Sequence, residues 1–276
     1  AKLMTQKIGY PEFITNSTEL DKEYEGIVLH PDKYFENGLE NLKHYALQEQ
    51  LKLRSPVNRN RWVTSPAVVN AFYTRSKNLI SFPAGILQPP LYHQNYPRFL
   101  NYGGIGVVIG HEVTHGFDNK GRQFDPNGNL QSWWHNDSLN RFQARAECVV
   151  QQYSNYVVPD LSIPLNGINT QGENIADNGG VKQAFRAYKR WAEKYGPEAS
   201  LPGINLNHYQ LFFLQFAQIW CGISRPKAAV HTVRVDAHSP GRFRVVGTLS
   251  NLKEFSEVYH CPLSSPMNPQ KKCEVW

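Results

Sequence analysis

The sequence predicts an α+β fold that is predominantly α-helical, and three observations carry that reading. Long segments repeat apolar residues at helical spacing, two short β-branched and aromatic runs flank a turn, and an uncharged glycine-rich stretch leads straight into two histidines four residues apart. The chain has 276 residues, 41% hydrophobic and 19% charged, which is long enough to bury a sizeable core. No internal repeat, low-complexity tract or linker divides it.

Taken in order, Val68 to Tyr73 reads as a strand, a turn falls near Ser76-Lys77-Asn78, and Leu79 to Phe82 follows as a second strand. Tyr102 to Gly110 is apolar and opens the helix that carries His111-Glu112-Val113-Thr114-His115. Asp137 to Tyr156 keeps Leu139, Phe142, Val149, Val150 and Tyr153 near one face. Gly172 to Gly180 has Glu173 and Asp177 four apart, as a helix would align them, and Gly180 to Tyr195 continues with Val181, Ala184, Phe185, Tyr188 and Trp191 on one stripe. Asn207 to Cys221 is apolar nearly all round and reads as a buried helix. Ser250 to His260 makes a last short helix before a proline-rich end.

The histidine pair names a chemistry. On a helix, residues 111 and 115 project from one face a turn apart, while Glu112 is rotated by about 100° and stands beside a shared metal without binding it. That is the arrangement of a zinc site with its own general base, suited to metal-assisted hydrolysis of an amide. A hydrolytic zinc wants three protein ligands and an open position, so a third ligand is expected downstream. Glu173 is the best candidate, with Asp177 accepting a hydrogen bond from the free nitrogen of a ligand histidine.

Several further stretches extend the pattern: Val68-Val-Asn-Ala-Phe-Tyr73, Phe82-Pro-Ala-Gly-Ile-Leu-Gln-Pro-Pro90, Asn101-Tyr-Gly-Gly-Ile-Gly106, the helix through Gly116-Phe-Asp118, Gly172 to Gly180, Asp236-Ala-His-Ser-Pro240 and Cys273-Glu-Val-Trp276. With them the chain resembles the C-terminal catalytic part of the neprilysin family of zinc endopeptidases, which includes the endothelin-converting enzymes. The likeness runs from near Ile8 to the last residue. It implies a thermolysin-like zincin domain of the gluzincin type, with a small antiparallel sheet at the substrate-binding edge. It divides the chain into a helical lead-in, residues 1–60, from an N-terminal region, and a peptidase core, residues 61–276.

Carried over residue by residue, the resemblance implies one Zn2+ held by His111, His115 and Glu173, a general base at Glu112, and Asp177 orienting a ligand histidine. His238 would stabilise the oxyanion and Arg244 would bind a substrate carbonyl. Asn70 and Ala71 would bind the substrate backbone. Ile86, Val107, Val108 and Trp220 would line the pocket for the residue after the scissile bond, which implies cleavage on the amino side of large apolar residues. Two rivals are a decayed homologue that only binds, and a structural zinc domain; the intact ligand set opposes the first, and the second requires a fourth protein ligand.

There are four cysteines and no C-x-x-C pair. The resemblance pairs Cys148 with Cys273 and matches Cys221 and Cys261 to positions bonded to the N-terminal part. Those two are therefore expected either free or bonded to a separate N-terminal chain. Sequons at Asn16 and Asn136 agree with an extracellular or cell-surface glycoprotein whose anchor, if any, lies elsewhere. The chain starts at Ala1, as a processed piece would. A net charge of +6 is scattered, with no block of five like charges, which opposes nucleic-acid binding, and no apolar run is long enough to span a membrane. The expected partners are peptide substrates and the N-terminal part.

Overall fold

A computed structural model describes residues 1–159 and 161–276. The elements are β1 (Thr5–Gly9), α1 (Ser17–Glu23), α2 (Tyr34–Leu51), β2 (Phe72–Thr74), β3 (Leu79–Pro83), α3 (Arg98–Asn101), α4 (Val107–His115), α5 (Asn136–Ser154), β4 (Val157–Val158), β5 (Ile163–Pro164), α6 (Gly167–Tyr195), α7 (His208–Gln218), α8 (Pro226–Val235), α9 (Gly241–Asn251) and α10 (Lys253–Val258). The fold is mostly helical with a small sheet.

The sheet is mixed rather than purely antiparallel. β1 runs parallel to β3, and β2 runs antiparallel to it, so the order is β1-β3-β2 and β2 is an edge. The parallel strand comes from residues expected to be a helical lead-in; that stretch does hold α1 and α2, but Thr5–Gly9 joins the sheet. All five residues of β3 are buried, as a central strand covered on both sides must be. The turn before it is made by Asn78 at φ 47°, a left-handed conformation that asparagine tolerates. Its amide also accepts from the Tyr73 hydroxyl and donates to the carbonyls of Leu3 and Pro126.

The expected strand at Val68 begins later, at Phe72. The Ala71 N–H is taken by the Asn70 side chain at 2.9 Å, and Val68 N–H turns back to Ser65. Gly85 then packs so closely on the carbonyls of Ala67 and Val68 that an added Cβ would lie 2.7 Å from each. Local side-chain bonding and this contact replace a sheet ladder there.

The helix that carries His111 and His115 is entered through α3 and a wider π turn at Tyr102–Gly106. Glu198 caps the entry by accepting from the N–H groups of Arg98 and Phe99. Residues 172–195, expected as a helical turn and a following helix, lie within one continuous helix, α6, which Asn166 caps. α7 starts on a capping box between Asn207 and Gln210 and buries Leu211, Phe212, Phe213 and Phe216 against Phe99, Val181, Phe185 and Tyr188. Three helices, α3, α8 and α9, were not expected from the sequence. α8 is mostly exposed although Ala229, Val230 and Val233 share one face, and α9 carries polar residues among its buried ones. The last short helix, α10, is only the middle of the expected span.

A disulfide joins Cys148 to Cys273 across 125 residues. It seats the chain end on α5, where Val275 packs with Phe142 and Val149, and Arg145 donates to the Val275 carbonyl.

Candidate metal and catalytic site

The site forms where α4 crosses α6. Gly110, Gly179 and Gly180 let the two helices touch: a Cβ on Gly179 would lie 2.6 Å from the Thr114 hydroxyl oxygen. Without side chains between them, His111 and His115 on one helix meet Glu173 and Asp177 on the other.

The two imidazole Nε2 atoms lie 3.0 Å apart. Each ring's other nitrogen is engaged: His111 Nδ1–H donates to Asp177 Oδ1 at 2.8 Å, and His115 Nδ1–H donates to Asp118 Oδ2 at 2.7 Å. A carboxylate can only accept, so both Nδ1 atoms carry protons and two neutral rings would turn Nε2 lone pairs toward one another. Glu173 Oε2 lies 3.2 Å from both Nε2 atoms and also from Nε2 of His238. That oxygen is buried and has no hydrogen-bond partner among the described residues. Three facing donor atoms and an orphaned carboxylate oxygen suit a cation. His111, His115 and Glu173 could together hold a metal ion.

Electrostatics follow from burial and pairing. Burial by itself would raise Glu173, but wherever the three facing imidazoles carry a proton toward it they hold it well below the usual carboxylate range. Asp177 is likewise opposed by burial, yet the Arg244 charge and its hydrogen bonds, with His111, hold it down at about 2. Glu112 is pushed up, chiefly by burial. It sits in the same cavity with its carboxyl uncommitted to any protein hydrogen bond among those formed by the described residues.

Arg244 stands in the wall of the cavity and is also paired with Asp177. Its Nε donates to Asp177 Oδ2 and its Nη2 to Asp177 Oδ1, each at 2.7 Å, and its guanidinium lies 3.8 Å from the ring centre of Trp220. It still lines the cavity, but its fork is closed on a carboxylate, leaving Nη1 outside those bonds. Thus Asp177 ties His111 to Arg244.

The cavity, of about 450 Å³, is lined by all the residues expected to touch substrate: Asn70, Ala71, Ile86, Val107, Val108, Trp220 and Arg244, together with His238. His238 is half exposed, on the loop between α8 and α9. Asp236 Oδ1 accepts from both its Nδ1 and its backbone N–H. Asn169 holds the Asp236 carbonyl, and Ser239 is bonded to Asn174, so α6 fixes both ends of the loop.

Asp118 and Asp236 were not singled out from the sequence. The signal was present in spacing: Asp118 is three residues beyond His115, and Asp236 two before His238. Cys221 is exposed and Cys261 partly so, and both are free. Asn16 and Asn136 stand exposed at the starts of α1 and α5.

The family model described as peptidase family M13 matches residues 70–275. The chain is 51% identical to membrane metallo-endopeptidase-like 1 of Mus musculus and to neprilysin of Homo sapiens, over 98% and 100% of its own length. It spans only 36% and 37% of those relatives. Among solved structures, a zinc metalloprotease of Mycobacterium tuberculosis in complex with an inhibitor superposes with a TM-score of 0.91 at 35% identity, covering 100% of this chain and 41% of that one. The chain belongs to peptidase family M13.

Proposed function

We infer that the chain is the catalytic part of a zinc-dependent endopeptidase that cleaves short peptides on the amino side of large apolar residues. One observation carries this: two imidazoles whose outer nitrogens are held by carboxylates turn their inner nitrogens toward each other and toward an orphaned Glu173 oxygen. The donor set of two nitrogens and one carboxylate oxygen suits zinc and leaves a position for water. Bound zinc acts as a Lewis acid that activates water and polarises the scissile carbonyl.

Each protein group then has a part. Glu112, raised by burial, takes the proton of the attacking water and passes it to the leaving amine. His238, oriented by Asp236, donates to the developing oxyanion. Asn70 and Ala71 sit just before the edge strand β2, where an extended peptide can align. Ile86, Val107, Val108 and Trp220 supply an apolar wall for the following side chain. Arg244 acts first through Asp177, and its Nη1 is available to a substrate carbonyl.

The exposed sequons at Asn16 and Asn136 and the Cys148–Cys273 bond support an extracellular or cell-surface setting. Residues 1–60 are read as the approach from an N-terminal part that covers the site. α2 supports this, since it buries no residue while Phe35, Leu39 and Leu42 stand exposed on it. Cys221 and Cys261 are available to bond with that part. No helix among the described residues is long and apolar enough to cross a membrane.

The test is cleavage of a short peptide with an apolar residue after the scissile bond, before and after chelation, with zinc added back. Cleavage lost to the chelator and restored by zinc is expected. Full metal occupancy without any hydrolysis would instead favour a structural zinc domain.

A further inference from the structure

One cation in the cleft wall has its hydrogen-bond donors uncommitted. Arg75 immediately follows the edge strand β2 and lines the same cavity as His111, Glu112, His115 and Glu173. Its side chain is 35% exposed, and its Nε is buried without a hydrogen-bond partner among the described residues. The nearest carboxylate oxygen, Asp118 Oδ2, is 3.6 Å from Nη2. Asp118 is already engaged, by His115 at Oδ2 and by the N–H groups of Lys120 and Gly121 at Oδ1. It balances the charge of Arg75 without using its donors. The other arginine of the cavity, Arg244, is closed on Asp177 by two hydrogen bonds.

A guanidinium keeps its proton and presents five N–H donors in a planar fork. Placed half-buried in a cleft wall, it binds most strongly the acceptor that matches that fork, a carboxylate.

The helix says which part of a peptide Arg75 faces. Val107 and Val108, in the apolar wall, precede His111 by about one turn, and Asp118, beside Arg75, lies just past the end of the helix against the His115 ring. The metal-binding pair therefore stands between the apolar wall and Arg75. With the apolar wall taking the residue after the scissile bond, Arg75 faces the residues before it. From Ala71 to Arg75 is four residues along the edge, roughly 13 Å at about 3.3 Å per residue. A peptide aligned on β2 covers that distance in three or four residues.

We propose that Arg75 forms a subsite that selects an aspartate or glutamate at the third or fourth position on the amino side of the scissile bond. This rests on the peptidase reading above, which sets the direction of the bound peptide.

Binding separates the two. Fluorescent peptides carrying Glu, Gln or Lys in turn at each of the four positions before the scissile bond are titrated into the full chain bearing Glu112→Gln, loaded with zinc, and followed by anisotropy. The Glu peptide should bind about tenfold tighter than its Gln twin at the third or fourth position. Adding Arg75→Gln should bring that ratio to about one, Arg75→Lys should keep part of it, and Arg75→Glu should turn the preference toward Lys. A Glu/Gln ratio of one in the parent at every position, or a ratio that survives Arg75→Gln, overturns the subsite. Cleavage by the unsubstituted chain is measured alongside: cleavage with no acidic preference overturns the subsite alone, and acid-selective binding without cleavage overturns the peptidase reading alone. Failure of every peptide to bind overturns both.

Discussion

Gly110 and Gly180 meet backbone to backbone: a Cβ on Gly110 would lie 2.7 Å from the Gly180 carbonyl oxygen, and one on Gly180 would lie 2.7 Å from the His111 nitrogen. Real Cβ atoms do not approach so closely, so any side chain here must push α4 and α6 apart. These are the helices that bring the histidine pair to Glu173. Gly180→Ala is expected to destabilise the fold by about 1–3 kcal/mol and to weaken zinc binding. Gly38 is a control: it lies in the exposed helix α2 with nothing near its Cβ position, so Gly38→Ala should stabilise slightly, by up to about 1 kcal/mol. Thermal melts and a zinc competition titration check both; equal behaviour of the two variants would remove the packing argument.

Asp118 and Asp177 each orient a histidine, but they are not equivalent. Asp118→Asn should weaken zinc binding by roughly 10–100-fold. Asp177→Asn should do the same and also leave the buried Arg244 without its counter-charge, for a further loss of stability of about 3–5 kcal/mol. Denaturant unfolding of the two variants without metal isolates the second effect. Similar midpoints would show that Arg244 finds another partner.

Glu112→Gln should keep zinc and fold while lowering kcat by about 100-fold or more. Glu173→Gln should lose zinc first, because it removes a ligand charge from the cluster. Metal analysis paired with turnover distinguishes a base from a ligand: full occupancy in Glu173→Gln would exclude it as a ligand, and wild-type turnover in Glu112→Gln would exclude it as the base.

His238→Ala should lower kcat more than it raises KM, as loss of a group acting in the transition state requires. Asp236→Asn should follow in the same direction with a smaller effect, since it acts by orienting the ring. A change confined to KM in both would reassign the loop to substrate binding.

Thiol chemistry gives a check on the chain itself. Cys221 is exposed and should label rapidly, Cys261 is partly covered and should label more slowly, and Cys148 and Cys273 should label only after reduction. Mass spectrometry of the labelled chain reads all four, and a label on Cys148 before reduction would contradict the fold.

The grouping of the site residues was legible in the sequence because it is written at short range. His111, Glu112 and His115 need only a helix to face one way, and Glu173 and Asp177 need only another. The stretch around Leu211 to Phe216, apolar nearly all round, likewise declared a buried helix. Strand β1 was not legible, since its partner β3 lies some seventy residues away and its own residues are mostly exposed. α8 was missed although Ala229, Val230 and Val233 share a face, because it is short and mostly exposed, and α9 because polar residues are mixed into its buried side.

By itself, then, the sequence determined which side chains could act together at a metal, since that depends on side-chain type and on spacing within one helix. Tertiary structure decided how those residues are held. It placed Asp118 behind His115, closed Arg244 on Asp177, and left Arg75 open in the cleft wall. Those outcomes rest on contacts between segments, above all the glycine-lined crossing of α4 and α6, and spacing along the chain does not encode how closely two helices pack.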